Sequence, residues 1–344
     1  MKNFMNKFRK KYDDSILTLI VLIVGVMVFM AVMKPESFYS WNNVRSMIFQ
    51  FPEFGIIAFG VMICMISGGI DLSLVGLANL TGIICATIML AMGGSNLSIL
   101  VGIAVGVLIG LLGGMFNGFL ISKLGLPPML VTLCGLELYT GLGLGITTGP
   151  AVNGLPDNFK FIANGSIPLG SVELPIVLFI FIGILALVVF IMKNTVFGHH
   201  VYFMGSNKEA AKFSGINCHK TTMLTYSISG ILGAVAGIIM TSHFNSAKSD
   251  YGVTYTLLSI LIVVLGGVHP DGGRGRVLGV TLSVLLLQFI TQAFTLLKIE
   301  TNWKTFTYGV LLIVALSITM IQSKMAERKA EKESLLTDKK ELQA

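Results

Sequence analysis

The chain has 344 residues, of which 54% are hydrophobic and only 12% charged, and its formal net charge is +7. Soluble domains carry about 25% charged residues, so a water-soluble globule is excluded. The charges gather at the two ends and in short loops, which leaves apolar stretches of membrane-crossing length between them.

Residues 1–14 are basic and precede the apolar run "SILTLIVLIVGVMVFMAVM" at 15–33. That run is too long for the core of a secretory signal and lacks a small-residue cleavage pattern, so it reads as a retained first span. Further apolar segments at 47–66, 72–92, 97–122, 127–147, 174–192, 221–243, 255–268, 275–297 and 303–322 bring the predicted total to ten. Gly-rich breaks flank the third and the eighth, which either cross fully or re-enter. With the N-terminus in the cytoplasm, 18 of the 24 Lys and Arg residues fall on the inner side. This bias obeys the positive-inside rule, places both termini in the cytoplasm, and assigns the basic charge to the inner leaflet instead of to nucleic acid. The predicted fold class is an all-α polytopic membrane protein of about ten helices with two Gly-rich interrupted segments. Residues 15–322 form its transmembrane domain, 193–220 a cytoplasmic loop, and 323–344 a charged, solvated tail.

Many of the 39 glycines are spaced for close helix contact, as in "GLLGGMFNG" (110–118) and "SGILGAVAG" (229–237); small residues let helix backbones approach in lipid. The four cysteines have no CxxC spacing, so they read as apolar filler and not as a zinc or disulfide framework. His199 and His200 read as a solvated loop pair.

Ionisable groups at membrane depth mark function by default. Three carboxylates qualify: Glu53 in "QFPEFG", Asp71 in "SGGIDLS" and Glu137 in "CGLELYTG", with Asn79, Asn117, Tyr139 and Thr140 as polar neighbours. Glu53 sits near the outer end of its span, within reach of the headgroups. Asp71 follows the helix break at Gly68 and Gly69 and is placed to cap the next helix, with Ser67 and Ser73 assisting. Glu137 lies mid-span and is expected to face the bundle interior or a water-filled cavity. A second break, "LGGVHPDGGRGRVLG" at 265–279, contains Gly266 and Gly267 and echoes the first, as interrupted segments in two halves of a transporter do. In the loop at 193–220, Asn207 is placed to cap a short helix, "NKEAAKF", that stops at Gly215 and presents Lys208, Glu209 and Lys212 to solvent.

Four motifs in order, "SGGIDLS", "GLPPMLVTLCGLELYTGL", "FGHHVYFMGSNKEAAKFSGI" and "LGGVHPDGGRGRVLG", resemble the permease subunits of bacterial ribose/simple-sugar ABC importers, a family with relatives for autoinducer-2 and nucleosides. The resemblance covers residues 15–322. It implies a cytoplasmic-membrane permease for a small polar solute, with Gly205–Ile216 as the coupling segment (Gly205, Asn207, Lys208, Glu209, Ala210, Ala211, Gly215). It also implies a translocation path and gate near Gly68, Gly69, Asp71, Ser73, Asn79, Glu137, Tyr139, Thr140, Gly266 and Gly267. The implied partners are a cytoplasmic ATPase, an extracytoplasmic solute-binding protein and a second permease copy or paralogue. The chain departs from the family where many members carry an arginine after the tyrosine of the fifth span: here that position is Thr140, with Glu137 nearby. No GxxxxGK[ST] phosphate loop occurs, so ATP and Mg belong to the partner and the chain is not an enzyme. The rival reading is a transporter driven by an ion gradient, in which Glu53, Asp71 and Glu137 carry protons. Against it, these carboxylates show no Lys or His partner in the membrane.

Overall fold

In a computed structural model of the chain, residues 14–147, 149–169, 172–300, 302–317 and 320–321 are described. The expectations for the basic N-terminus and the charged tail fall outside them. The helices, in chain order, are α1 (Asp14–Met33), the single turn α2 (Pro35–Phe38), α3 (Trp41–Ile66), α4 (Leu74–Ala91), α5 (Asn96–Lys123), α6 (Pro128–Ile146) and α7 (Asp157–Asn164). There follow α8 (Ile176–Asn194), α9 (Val196–Ser206), α10 (Lys208–Phe213), α11 (Cys218–Phe244), α12 (Tyr255–Leu265), α13 (Val277–Leu296) and α14 (302–317). Two small antiparallel pairs decorate the loops: β1 (Val152–Asn153) with β4 (Ser246–Ala247), and β2 (Ser166–Leu169) with β3 (Val172–Pro175).

Eight helices among the described residues (α1, α3, α4, α5, α6, α8, α11 and α13) are long and apolar enough to cross a membrane. The expected third span is one of them. The expected eighth is not: α12 has 11 residues, about 16 Å at 1.5 Å per residue, roughly half of a hydrocarbon core. Its apolar run is cut short by the turn at Gly266 and Gly267, where Gly267 has φ +80°.

Buried α3 and α11 form the middle of the bundle, while α1, α5, α6 and α8 are mostly exposed. The contact of α11 with α5 and α4 is made by glycines. Gly102, Gly106, Gly110, Gly114 and Gly118 recur every fourth residue on one face of α5 and are all buried. Side chains there have no room: a Cβ on Gly118 would lie 2.9 Å from Cα of Met223, and one on Gly114 would collide with the carbonyl of Tyr226. Gly237 of α11 meets the Ala78 carbonyl of α4 in the same way. Backbone contact of this kind replaces the hydrophobic drive that lipid cannot supply.

Candidate functional site

Asp71 is 2% exposed and sits in the break between α3 and α4. Its Oδ1 accepts from the backbone N–H (3.0 Å) and the hydroxyl (2.6 Å) of Ser73, and its Oδ2 accepts from Ser229 Oγ (3.0 Å) on α11. Ser229 lies eleven residues into α11, about 16 Å from its start, so the carboxylate is held at membrane depth. The network continues: Asn117 Nδ2 of α5 donates to Ser73 Oγ (2.8 Å), and Tyr139 Oη of α6 donates to Asn117 Oδ1 (3.0 Å) and to the Gly113 carbonyl (2.9 Å). One carboxylate thus ties four helices together through hydroxyl and amide groups. Ser67 is not part of this arrangement; its hydroxyl donates back to the Cys64 carbonyl (2.7 Å).

Three segments far apart in sequence meet beside this network. The N–H of Gly273 donates to the Ile66 carbonyl at the end of α3 (2.9 Å). Gly205, one residue before the end of α9, packs against the same carbonyl so closely that a Cβ would overlap it. A Cβ on Gly272 would stand 2.8 Å from Cα of Gly68 and 3.0 Å from the carbonyl oxygen of Gly205. Gly68 and Gly272 have φ of +88° and +93°, a region open to glycine and strained for other residues. Beside them, Tyr202 Oη donates to the Gly275 carbonyl (3.0 Å). Burial raises the Tyr202 phenol above its ordinary value, so it remains a donor at physiological pH. Gly266 packs the end of α12 against α13 at Val280 and Gly279, and Gly266 and Gly267 border the same cavity as Tyr202, Gly273 and Gly275.

The junction leads directly into α10. Asn207 caps that helix, its Oδ1 accepting from the N–H of Ala210 (2.9 Å). Gly215, with φ +82°, ends it. Ala211 is buried against Met204 and Cys218, whereas Lys208, Glu209, Ala210, Lys212 and Phe213 face outward. Phe213 is 90% exposed. The preceding α9 went unrecognised in the sequence: it is an 11-residue helix capped by Thr195, and His199 and His200 lie on it and not in a loop.

α6 divides its polar residues between two faces. Tyr139 is buried in the Asp71 network, and Thr140 faces α4 at Gly76. Glu137 points the other way: it is exposed, with no hydrogen-bond or ion-pair partner among the described residues. The expectation that it faces the interior of this bundle is therefore corrected. Positions 137 and 139 lie about 200° apart around a helix, so they cannot share a face.

Two further expectations change. Glu53 does not reach the headgroups; it is 1% exposed and pairs with His243 Nδ1 at the end of α11, with Tyr255 Oη 3.4 Å away. It therefore does have a histidine partner. Asn79 is remote from Asp71 and instead donates to the carbonyls of Ser249 and Tyr251 (both 2.9 Å), holding the segment before α12 against α4. Among the described residues no group of three or more His, Cys, Asp or Glu is placed to hold a metal.

Residues 43–316 match the family model described as branched-chain amino acid transport system / permease component. The chain belongs to this permease family. Among its relatives, the ribose import permease protein RbsC of Haemophilus influenzae is 33% identical over 303 residues, covering 88% of this chain and 90% of the relative. The RbsC protein of Bacillus subtilis is 33% identical over 84% and 88% of the two chains. The autoinducer 2 import system permease protein LsrD of Klebsiella pneumoniae is 30% identical over 90% and 91%. No solved structure matches the chain. The permease therefore has the family that its four motifs resemble, and those motifs supply three features of the site: the Asp71 break, the glycine junction and the capped α10.

Proposed function

We propose that this permease forms the translocation path of an ABC importer in the bacterial cytoplasmic membrane. It moves a small, neutral, polar solute of the monosaccharide type by alternating access, with both termini in the cytoplasm. α12 and α14 complete a ten-segment layout in which α12 only half-crosses. ATP and Mg are held by a separate ATPase subunit that docks on α10, and an extracytoplasmic binding protein delivers the solute. A second permease copy or paralogue covers the α6 face, because an uncovered carboxylate in the middle of a 19-residue span is costly in lipid. Solute specificity of the ribose type is supported by the relatives named RbsC, and that of the autoinducer-2 type by LsrD.

The observation that carries this reading is the glycine junction. The segment before α10 touches the two interrupted segments backbone to backbone, through Gly205, Ile66, Gly68, Gly272 and Gly273. Displacement of α10 by a partner therefore reaches both breaks without a compliant side chain between them. The test is Gly215→Pro in the complete reconstituted complex. Pro fixes φ near −65° where the chain needs +82°. The variant should insert and bind the ATPase yet hydrolyse ATP without uptake; wild-type uptake would defeat the assignment of α10. Uptake of a pentose, a hexose and a nucleoside by the same complex sorts the solute classes.

The ion-gradient reading gains a histidine partner for Glu53 but no continuous relay, because among the described residues Asp71 is bonded only to Ser73 and Ser229. Uptake that persists without ATP and collapses with a protonophore would favour it.

A further inference from the structure

One phenol beside the Asp71 break is left out of its hydrogen bonding. Tyr226 of α11 is 1% exposed, and its Oη has no hydrogen-bond partner among the described residues. The hydroxyls of Ser67, Ser73, Thr132, Tyr139 and Ser229 around the same break are all bonded. A buried hydroxyl without a partner has given up its hydration and gained nothing in return.

The position of Tyr226 supplies a reason. Tyr226 and Ser229 are three residues apart on α11, so they share a face and are separated by about 4.5 Å along the axis. The break runs beside them in register. Gly69 lies against Tyr226, where a Cβ would come within 2.5 Å of the Oη. Asp71 lies against Ser229, whose Oγ donates to Oδ2 at 3.0 Å. A shift of the break by one turn toward the start of α11 therefore carries Asp71 from Ser229 to Tyr226. Gly69 is not among the glycines of positive φ; what it provides is clearance, since a side chain there would meet both the phenol and Pro128.

We propose that Tyr226 is a positioning residue of the transport cycle, the second donor to which the Asp71 carboxylate passes when the break between α3 and α4 slides one turn along α11. Hydrogen-bond accounting favours the exchange. In the described state Oδ2 is bonded to Ser229 and the phenol is stranded. After the slide Oδ2 is bonded to Tyr226, and Ser229 donates to the carbonyl four residues back in its own helix, as Thr225 already does to Thr221 (2.9 Å). The phenol has no such local acceptor, because its ring holds the hydroxyl away from its own backbone. Ser73 belongs to the break and travels with Asp71. One-turn steps of one packed element past another occur in switching proteins, and the glycine junction reaches this break at Gly68. The inference rests on the alternating-access reading and adds the contact that is exchanged within it.

The test is Tyr226→Phe, which removes only the hydroxyl, in the complete reconstituted complex. With the stranded group gone, the melting temperature of the resting complex should rise by about 2 °C or more. The maximal uptake rate should fall tenfold or more at an unchanged half-saturating solute concentration. Loss of an ordinary structural hydroxyl does the opposite, lowering the melting temperature and sparing the rate. A melting temperature that fails to rise, or a maximal rate equal to wild type, overturns the proposal. Uptake is measured with ATP and, separately, with an imposed ion gradient. If the gradient alone drives the wild type, the importer reading fails, and the Tyr226→Phe rate is then read in that assay.

Discussion

Asp71 and Glu137 are two carboxylates within the span of the same bundle, on neighbouring elements, with opposite surroundings. Asp71 is enclosed: it binds Ser73 within its own break and Ser229 on α11, and through Ser73 and Asn117 it is linked to α5 and α6. Glu137 is exposed and has no partner among the described residues. A buried acceptor with satisfied donors is costly to remove, because its donors are then stranded. An exposed one can be changed with little structural consequence. The difference separates a carboxylate that holds this permease together from one that does no structural work in the described fold, and it can be broken at either end.

The largest effect belongs to Asp71→Ala. It strands the Ser73 N–H and the Ser73 and Ser229 hydroxyls, at about 1–3 kcal/mol each, so the permease should lose its thermal transition in detergent or fail to accumulate. If Asp71→Ala melts like wild type and only uptake is lost, Asp71 is a path residue and the contrast dissolves. Next is Gly205→Ala, whose methyl must displace the Ile66 carbonyl. Overpacking of this order costs about 1–3 kcal/mol, and transport should fall further than stability because the junction is moved off register. Full ATP-driven uptake in this variant would show that the junction does not transmit.

Tyr139→Phe removes one hydroxyl that bonds the Gly113 carbonyl and Asn117. About 1 kcal/mol of stability should go, with insertion intact. A change in solute preference instead of stability would move Tyr139 to the open side of the comparison. The smallest structural effect is that of Glu137→Gln, within about 0.5 kcal/mol of wild type, with an altered transport rate and the ATPase still bound. Loss of assembly would show that Glu137 holds the proposed second permease copy in place.

Length and apolarity made the long spans legible, because a helix that must cross lipid has few alternatives. The fourfold glycine spacing on α5, the Asn207 cap and the Gly215 stop were readable for equally local reasons. The orientation of α6 was not. In a membrane bundle both the packed and the lipid-facing sides are apolar, so periodicity carries little information about which side faces in; Glu137, Tyr139 and Thr140 therefore looked like one cluster. The pairing of Glu53 with His243 joins residues 190 positions apart, and no local pattern encodes it. The Gly-rich break after α12 left open whether that segment crosses or re-enters, and its apolar run through Gly266, Gly267 and Val268 did not show that the helix ends at the turn at Gly267. α9 was missed because Gly198 and two histidines obscure a segment that is held in place by tertiary contacts of Val201 and Met204.

The glycine junction has one more consequence. Where Ile66, Gly68, Gly205, Gly272 and Gly273 meet, the closest contacts are between peptide backbones. On the proposed reading, a contact of this kind passes movement from α10 to both breaks whatever solute is carried.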